Sequence, residues 1–125
     1  MKKQKKVLIV DDEPVSLKML SGYLRDINYE FEQAENGKKA LQILEKNPTS
    51  FGVVILDRLM PHMSGIELLN IMKQNKKLVK IPVVMLTGLD NNEDIIEAIQ
   101  AGAFDYLTKP VEKDLFLKLV TQAMA

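Results

Sequence analysis

The 125-residue chain contains no cysteine, which excludes disulfides, thiolate metal sites and cysteine nucleophiles. It has one histidine, His62, too few imidazoles for a zinc cage. No apolar run approaches the ~20 residues needed to cross a bilayer, and no long apolar core follows the amino-terminal lysines. Together these absences lead to the expectation of a cytoplasmic protein with no membrane partner. The six glycines stand singly, at 22, 37, 52, 65, 88 and 102, so no clustered-glycine loop is available to cradle the phosphates of a nucleotide or flavin. Neither sign of charge is in excess, with 17 Lys plus Arg against 17 Asp plus Glu. That balance argues against nucleic acid as an obligatory partner. Lys2, Lys3, Lys5 and Lys6 form the one local exception, read as a solvated flank.

Short apolar runs dominate what is present, and three of them end in an oxygen-bearing side chain. Val7–Val10 leads into Asp11 and Asp12, Val53–Leu56 into Asp57, and Val83–Leu86 into Thr87. A weaker run, Ala103–Leu107, is followed by Thr108, Lys109 and Pro110. Continuous runs of this length predict strands buried on both faces, as in parallel sheets covered by helices. A short polar run, Phe31–Ala34, predicts a further strand ended by the turn and cap signal Asn36-Gly37.

Segments of helical period separate the strands. Pro14 suits a first helical position, and Leu17, Leu20, Leu24 and Ile27 mark the buried stripe of a helix of about 14 residues. Ala40, Leu41 and Leu44 predict a second helix closed by Asn47-Pro48, and Ile66, Leu69 and Met72 a third. In the fourth, Asn91 is a cap candidate with Asp94 three residues on. Ile95, Ile96 and Ile99 are expected in that helix's core face, and Gly102 at its end. Leu115, Leu119, Val120 and Ala123 are expected to face inward on the last helix.

Strict alternation of strands and helices implies one α/β domain over residues 1–125, with a doubly wound parallel sheet and right-handed crossovers. The most apolar runs belong in its middle, which favours the order 2-1-3-4-5 and a switch point between strands 1 and 3. Ligands of such sheets bind outside the carboxyl ends of the strands. Asp11, Asp12, Asp57, Thr87 and Lys109 are therefore expected at one edge. Like charges gathered there need a counter-ion, and an all-oxygen ligand set suits Mg²⁺. A cation and the Lys109 ammonium beside a carboxylate suit a phosphoryl group. Asp57 can then act as nucleophile, forming an acyl phosphate, while the Thr87 hydroxyl donates a hydrogen bond to a phosphoryl oxygen. The plainer alternatives are helix capping by Asp11 and Asp12, a surface Lys109, a loop Thr87, and a Tyr106 that only packs at an edge. His62 reads as a solvated loop residue.

VLIVDDEP at Val7–Pro14, ILDRLMPHMSG at Ile55–Gly65, MLTG at Met85–Gly88 and AGAFDYLTKP at Ala101–Pro110 together resemble the receiver domain of two-component response regulators. The resemblance spans essentially the whole chain and implies the flavodoxin-like receiver fold. It implies that Asp57 is the phosphoacceptor, supplied by the phosphohistidine of a sensor histidine kinase or a phosphotransfer protein. It also implies that Asp12 and Asp57 bind Mg²⁺ directly, Asp11 mainly through water, and the Leu59 backbone carbonyl as the remaining protein ligand. Lys109 would pair with the phosphoryl oxygens and precede a cis Pro110, as X-Pro bonds allow. Thr87 and Tyr106 would be the switch pair, changing a surface made of the fourth helix, fifth strand and fifth helix, which a downstream partner or a second copy could read. Leu59 and Leu89 take positions that flank the attacking water in this family, and as leucines they are expected to prolong the phosphorylated state.

Such a domain is a regulatory phosphoacceptor and not a turnover enzyme. The rival reading, a haloacid-dehalogenase-type phosphohydrolase, wants an acid two residues after the nucleophile, where this chain has Leu59. A receiver-like module that has lost phosphate acceptance remains the other alternative. Output through a partner protein or through a further domain is equally compatible with the sequence.

Overall fold

The computed structural model describes residues 4–88 and 92–125. Its strands are β1 (Lys6–Val10), β2 (Phe31–Ala34), β3 (Phe51–Asp57), β4 (Val83–Thr87) and β5 (Asp105–Thr108). They alternate with α1 (Pro14–Arg25), α2 (Gly37–Lys46), α3 (Gly65–Lys73), α4 (Asn92–Gln100) and α5 (Lys113–Met124). The sheet is parallel throughout, in the order β2-β1-β3-β4-β5. Expected order and observed order agree.

Two cores follow from the period-2 alternation of side chains along a strand. Val7 and Ile9 of β1, Val53 and Ile55 of β3, and Val84 and Leu86 of β4 pack with Leu20 and Leu24 of α1 and with Phe116, Leu119 and Val120 of α5. Their neighbours Leu8, Val10, Val54, Leu56, Val83 and Met85 point to the other face, against Ala40 and Leu44 of α2, Leu68, Leu69 and Met72 of α3, and Ala98 of α4. Each fully buried Val, Leu, Ile, Met or Phe side chain contributes about 1.5–3 kcal/mol by leaving water. The central strands are therefore a rigid platform for whatever their carboxyl ends carry.

Local signals set the helix boundaries. The Asn36 side chain accepts a hydrogen bond from the Lys39 N–H at 2.8 Å and starts α2. Ser64 and Glu67 form a reciprocal capping box at α3. At the end of α4, Gly102 has φ +100°. Its N–H bonds to the Ile99 carbonyl, and the Ala103 N–H bonds back to the Ala98 carbonyl, the hydrogen-bond pair of a Schellman cap.

Three expectations about helix faces are corrected. α1 ends at Arg25, so Ile27 lies beyond it and is only partly buried. On α4, Ile96 and Ile99 are exposed, at 53% and 48%, and Ile95 is partly buried. The helix meets the core through the small Ala98, which leaves its larger side chains standing clear. On α5, Leu115 is exposed and Phe116 is fully buried in its place. The inward face runs 116, 119, 120, 123, and Leu115 falls just outside that arc. The cap candidate Asn91, together with Leu89, Lys2 and Lys3, lies outside the described residues.

Candidate phosphoryl and metal site

The carboxyl ends of β1 and β3 diverge to opposite faces of the sheet, and the acids sit there. Asp11 and Asp12 directly follow β1, and Asp57 is the last residue of β3. Parallel pairing of Val10 with Leu56 brings the two strand ends side by side. Carboxylate oxygens of Asp11, Asp12 and Asp57 all lie within 4.8 Å of one another. Asp11 and Asp57 are buried while Asp12 is exposed, so the cluster is closed below and open to solvent on one side.

Lys109 enters from the other strand ends. Its backbone N–H bonds to the Thr87 carbonyl at 2.8 Å, and its peptide bond to Pro110 is cis. The ammonium lies 3.0 Å from Asp11 Oδ2, 3.3 Å from Asp57 Oδ1 and 2.9 Å from Glu13 Oε1. Thr87, at the end of β4, is fully buried. The structure thus brings together the residues expected at the edge: Asp11, Asp12, Asp57 and Lys109 in direct proximity, with Thr87 holding the lysine's backbone. Tyr106 pairs with Met85 in the sheet and packs, partly buried, against the core shared by α2, α3 and α4. Leu59 is 68% exposed in the loop after Asp57, and His62 is exposed in the same loop.

Electrostatics at this edge are unbalanced. Burial, followed by repulsion from the Asp11 carboxylate, pushes Asp57 up to about 7 against the opposing pull of Lys109. Burial alone would lower Lys109, but its hydrogen bond to Glu13 and the close carboxylates of Asp11 and Asp57 outweigh it and hold the ammonium above the usual lysine range. One lysine does not neutralise three neighbouring acids. Asp11 Oδ2 is buried and lacks a hydrogen bond of acceptable geometry; its compensation is the nearby ammonium charge alone. Asp11 is not simply a helix cap either: its Oδ1 accepts from the Glu13 N–H at 2.9 Å, which leaves Oδ2 for the pocket.

This donor set fits a hard divalent cation. It consists only of carboxylate oxygens, one of them lacks a hydrogen bond, and the open side leaves room for water ligands.

A close backbone approach shapes the loop that rims the pocket. A Cβ on Gly65 would lie 2.4 Å from the Asp57 carbonyl oxygen and 2.9 Å from Arg58 Cα. With no side chain there, the Gly65 N–H reaches the Arg58 carbonyl at 2.9 Å, and the loop folds back onto the strand end.

Sequence reasoning missed two neighbours of the site. Glu13, to which the sequence assigns no role, supplies the third carboxylate on Lys109. Arg58, adjacent to Asp57, reaches α4, with Nη2 at 3.1 Å from Asp94 Oδ1 and 3.2 Å from Glu97 Oε1. A charged residue beside the phosphoacceptor candidate was the available signal for Arg58. For Glu13 the signal was a third acid in series, whose side-chain direction spacing alone does not give.

A family model described as "Response regulator receiver domain" matches residues 7–121. A Vibrio cholerae protein named probable cyclic di-GMP phosphodiesterase is 43% identical over 105 residues, covering 84% of this chain, which spans only 23% of that protein's length. Chemotaxis protein CheY-3 of Vibrio cholerae is 38% identical over 109 residues, covering 86% of this chain and 82% of its own length. Among solved structures, Vibrio cholerae chemotaxis protein CheY4 superposes with a TM-score of 0.88 at 33% identity, covering 97% of this chain and 99% of that one.

Proposed function

Because the chain belongs to the response regulator receiver domain family of two-component systems, we propose that it is a phosphorylation-dependent switch with Asp57 as phosphoacceptor. The phosphoryl group comes from the phosphohistidine of a sensor kinase or phosphotransfer protein. The observation that carries this reading is the Lys109 ammonium placed between Asp11 and Asp57, at 3.0 Å and 3.3 Å, over a cluster of three acids. A buried carboxylate pair facing one ammonium is a site for an anion with oxygens to spare and for a cation to balance it.

In the transfer step an Asp57 carboxylate oxygen forms a bond to phosphorus as the P–N bond to the donor imidazole breaks, its electron pair returning to that nitrogen. Lys109 holds phosphoryl oxygens and offsets their charge, and the Thr87 hydroxyl donates to one of them. Asp12 and Asp57 directly, Asp11 through water and the Leu59 carbonyl would hold Mg²⁺, which when bound supplies charge neutralisation at the acids and the phosphoryl oxygens. Asp57 reacts as the carboxylate, so lowering its affinity for protons is part of what the cations do. Movement of Thr87 toward the phosphoryl group draws the Tyr106 ring inward and changes the surface of α4, β5 and α5. The exposed Ile96, Ile99 and Leu115 on that surface supply apolar area for a downstream protein or a second copy. Residues 1–125 act as a single receiver unit in the cytoplasm, signalling through a partner or a further domain. The phosphodiesterase named above is a property of the longer Vibrio protein and is not assigned to this chain.

Amide NMR with Mg²⁺, before and after addition of beryllofluoride, tests the reading. Shifts at Asp57, Thr87, Tyr106 and α4 are expected, and none of them in Asp57→Asn. Unchanged spectra, or the same shifts in the variant, would contradict it.

A further inference from the structure

An ammonium has three N–H donors, and three carboxylates stand around that of Lys109. Two are buried, Asp11 Oδ2 at 3.0 Å and Asp57 Oδ1 at 3.3 Å. The third, Glu13 Oε1 at 2.9 Å, belongs to a side chain that is 63% exposed and lies outside the group of acids close enough to share a metal. Glu13 occupies the N-cap position of α1 but makes no side-chain cap hydrogen bond. Its backbone N–H is held by Asp11 Oδ1 at 2.9 Å, and its carboxylate engages the lysine at the mouth of the pocket.

We infer that Glu13 is a positioning and selectivity residue for phosphoryl transfer: it steadies Lys109 while the site is empty of phosphate and competes, as a resident anion, with small anionic phosphodonors for the lysine's N–H. This rests on the reading that Asp57 accepts phosphate. The hydrogen bond of good geometry on the ammonium is the one to Glu13 Oε1 at 2.9 Å, so an arriving phosphoryl oxygen competes with that carboxylate for the lysine's outward N–H. The buried pair is anchored at the strand ends, whereas the contact with Glu13 is the exposed one and the cheapest to break. Glu13 forms and breaks no covalent bond. With acetyl phosphate, an Asp57 oxygen bonds to phosphorus while the P–O bond to acetate breaks, and acetate leaves with the electron pair as a carboxylate. Glu13 governs only how easily that donor reaches the lysine.

The test compares wild type, Glu13→Gln, Glu13→Ala and Glu13→Asp for phosphorylation by acetyl phosphate and by phosphoramidate, with Mg²⁺, at low and high salt. Acetyl phosphate approaches as a dianion, while phosphoramidate carries less negative charge because its nitrogen is protonated. Removing the charge should raise the rate with acetyl phosphate by about fivefold at low salt, the ceiling for an exposed ion pair. The gain should be smaller with phosphoramidate and should shrink as salt screens it, and Glu13→Asp should stay near wild type. A purely structural role would move both donors alike. Equal gains for the two donors, or no gain in Gln and Ala variants of a wild type that does become phosphorylated, would overturn this inference alone. A wild type that takes phosphate from neither donor would overturn the proposed function and this inference with it.

Discussion

Neutralising Asp57 should stabilise the metal-free protein, and by an amount that depends on pH. The carboxyl is only 5% exposed and is pushed up to about 7 from an ordinary 3.8 by burial and by Asp11. Between those values the folded protein keeps a proton that the unfolded chain has lost. This contribution to stability is therefore present at low pH and is lost as pH rises through about 7. Fully ionised, the buried carboxylate costs roughly 4 kcal/mol relative to its unfolded reference. Over the narrower span from pH 5 to pH 8, the loss is about 2–3 kcal/mol. Asp57→Asn removes it while Lys109 keeps Asp11 and Glu13 as partners. Urea unfolding of wild type and variant in the presence of a chelator, followed by far-UV circular dichroism, measures the difference at each pH with equal m-values expected. Background titrations common to the two proteins cancel in the comparison. The variant's advantage should grow by about 2–3 kcal/mol from pH 5 to pH 8, and millimolar Mg²⁺ should recover stability in wild type but not in the variant. A difference that stays flat with pH, or a variant less stable than wild type at pH 8, would refute the reasoning.

Other consequences are more local. Leu59→Asn combined with Leu89→Glu should speed decay of the phosphorylated protein, because polar side chains there order the attacking water; a decay rate equal to wild type would remove that role. Gly65→Ala should destabilise by about 3 kcal/mol in urea, since its Cβ would collide with Asp57 and Arg58 backbone, and Mg²⁺ affinity should fall with it. Phe116→Ala should cost about 3–5 kcal/mol, whereas Leu115→Ala, on the exposed side of the same helix, should change stability by less than about 0.5 kcal/mol.

The strands were the most legible part of this chain, for a physical reason. β1, β3 and β4 are covered on both faces, so Val7–Val10, Val53–Leu56 and Val83–Leu86 are apolar throughout and the first polar side chain marks where each run ends. Those polar residues are also the site, so finding the strands located Asp11, Asp57, Thr87 and, one residue beyond β5, Lys109. The helix faces were less legible. Leu115 and Phe116 both satisfy helical spacing with Leu119 and Val120, and only the position of α5 on the sheet decides that Phe116 goes in. Ile96 and Ile99 were misplaced because apolar character was equated with burial. Contact through Ala98 instead leaves them on the surface. Glu13 was illegible because its partner, Lys109, is 96 residues away, and nothing local announces such a pairing.

The central claim is that Asp57 accepts a phosphoryl group, and mass spectrometry tests it most directly. After incubation with acetyl phosphate and Mg²⁺, the intact protein should gain ~80 Da, the mass of one transferred phosphoryl group. Fragmentation should place it on Asp57, and the gain should vanish with chelator or in Asp57→Asn. No added mass in wild type, or a modification that persists in Asp57→Asn, would contradict the account.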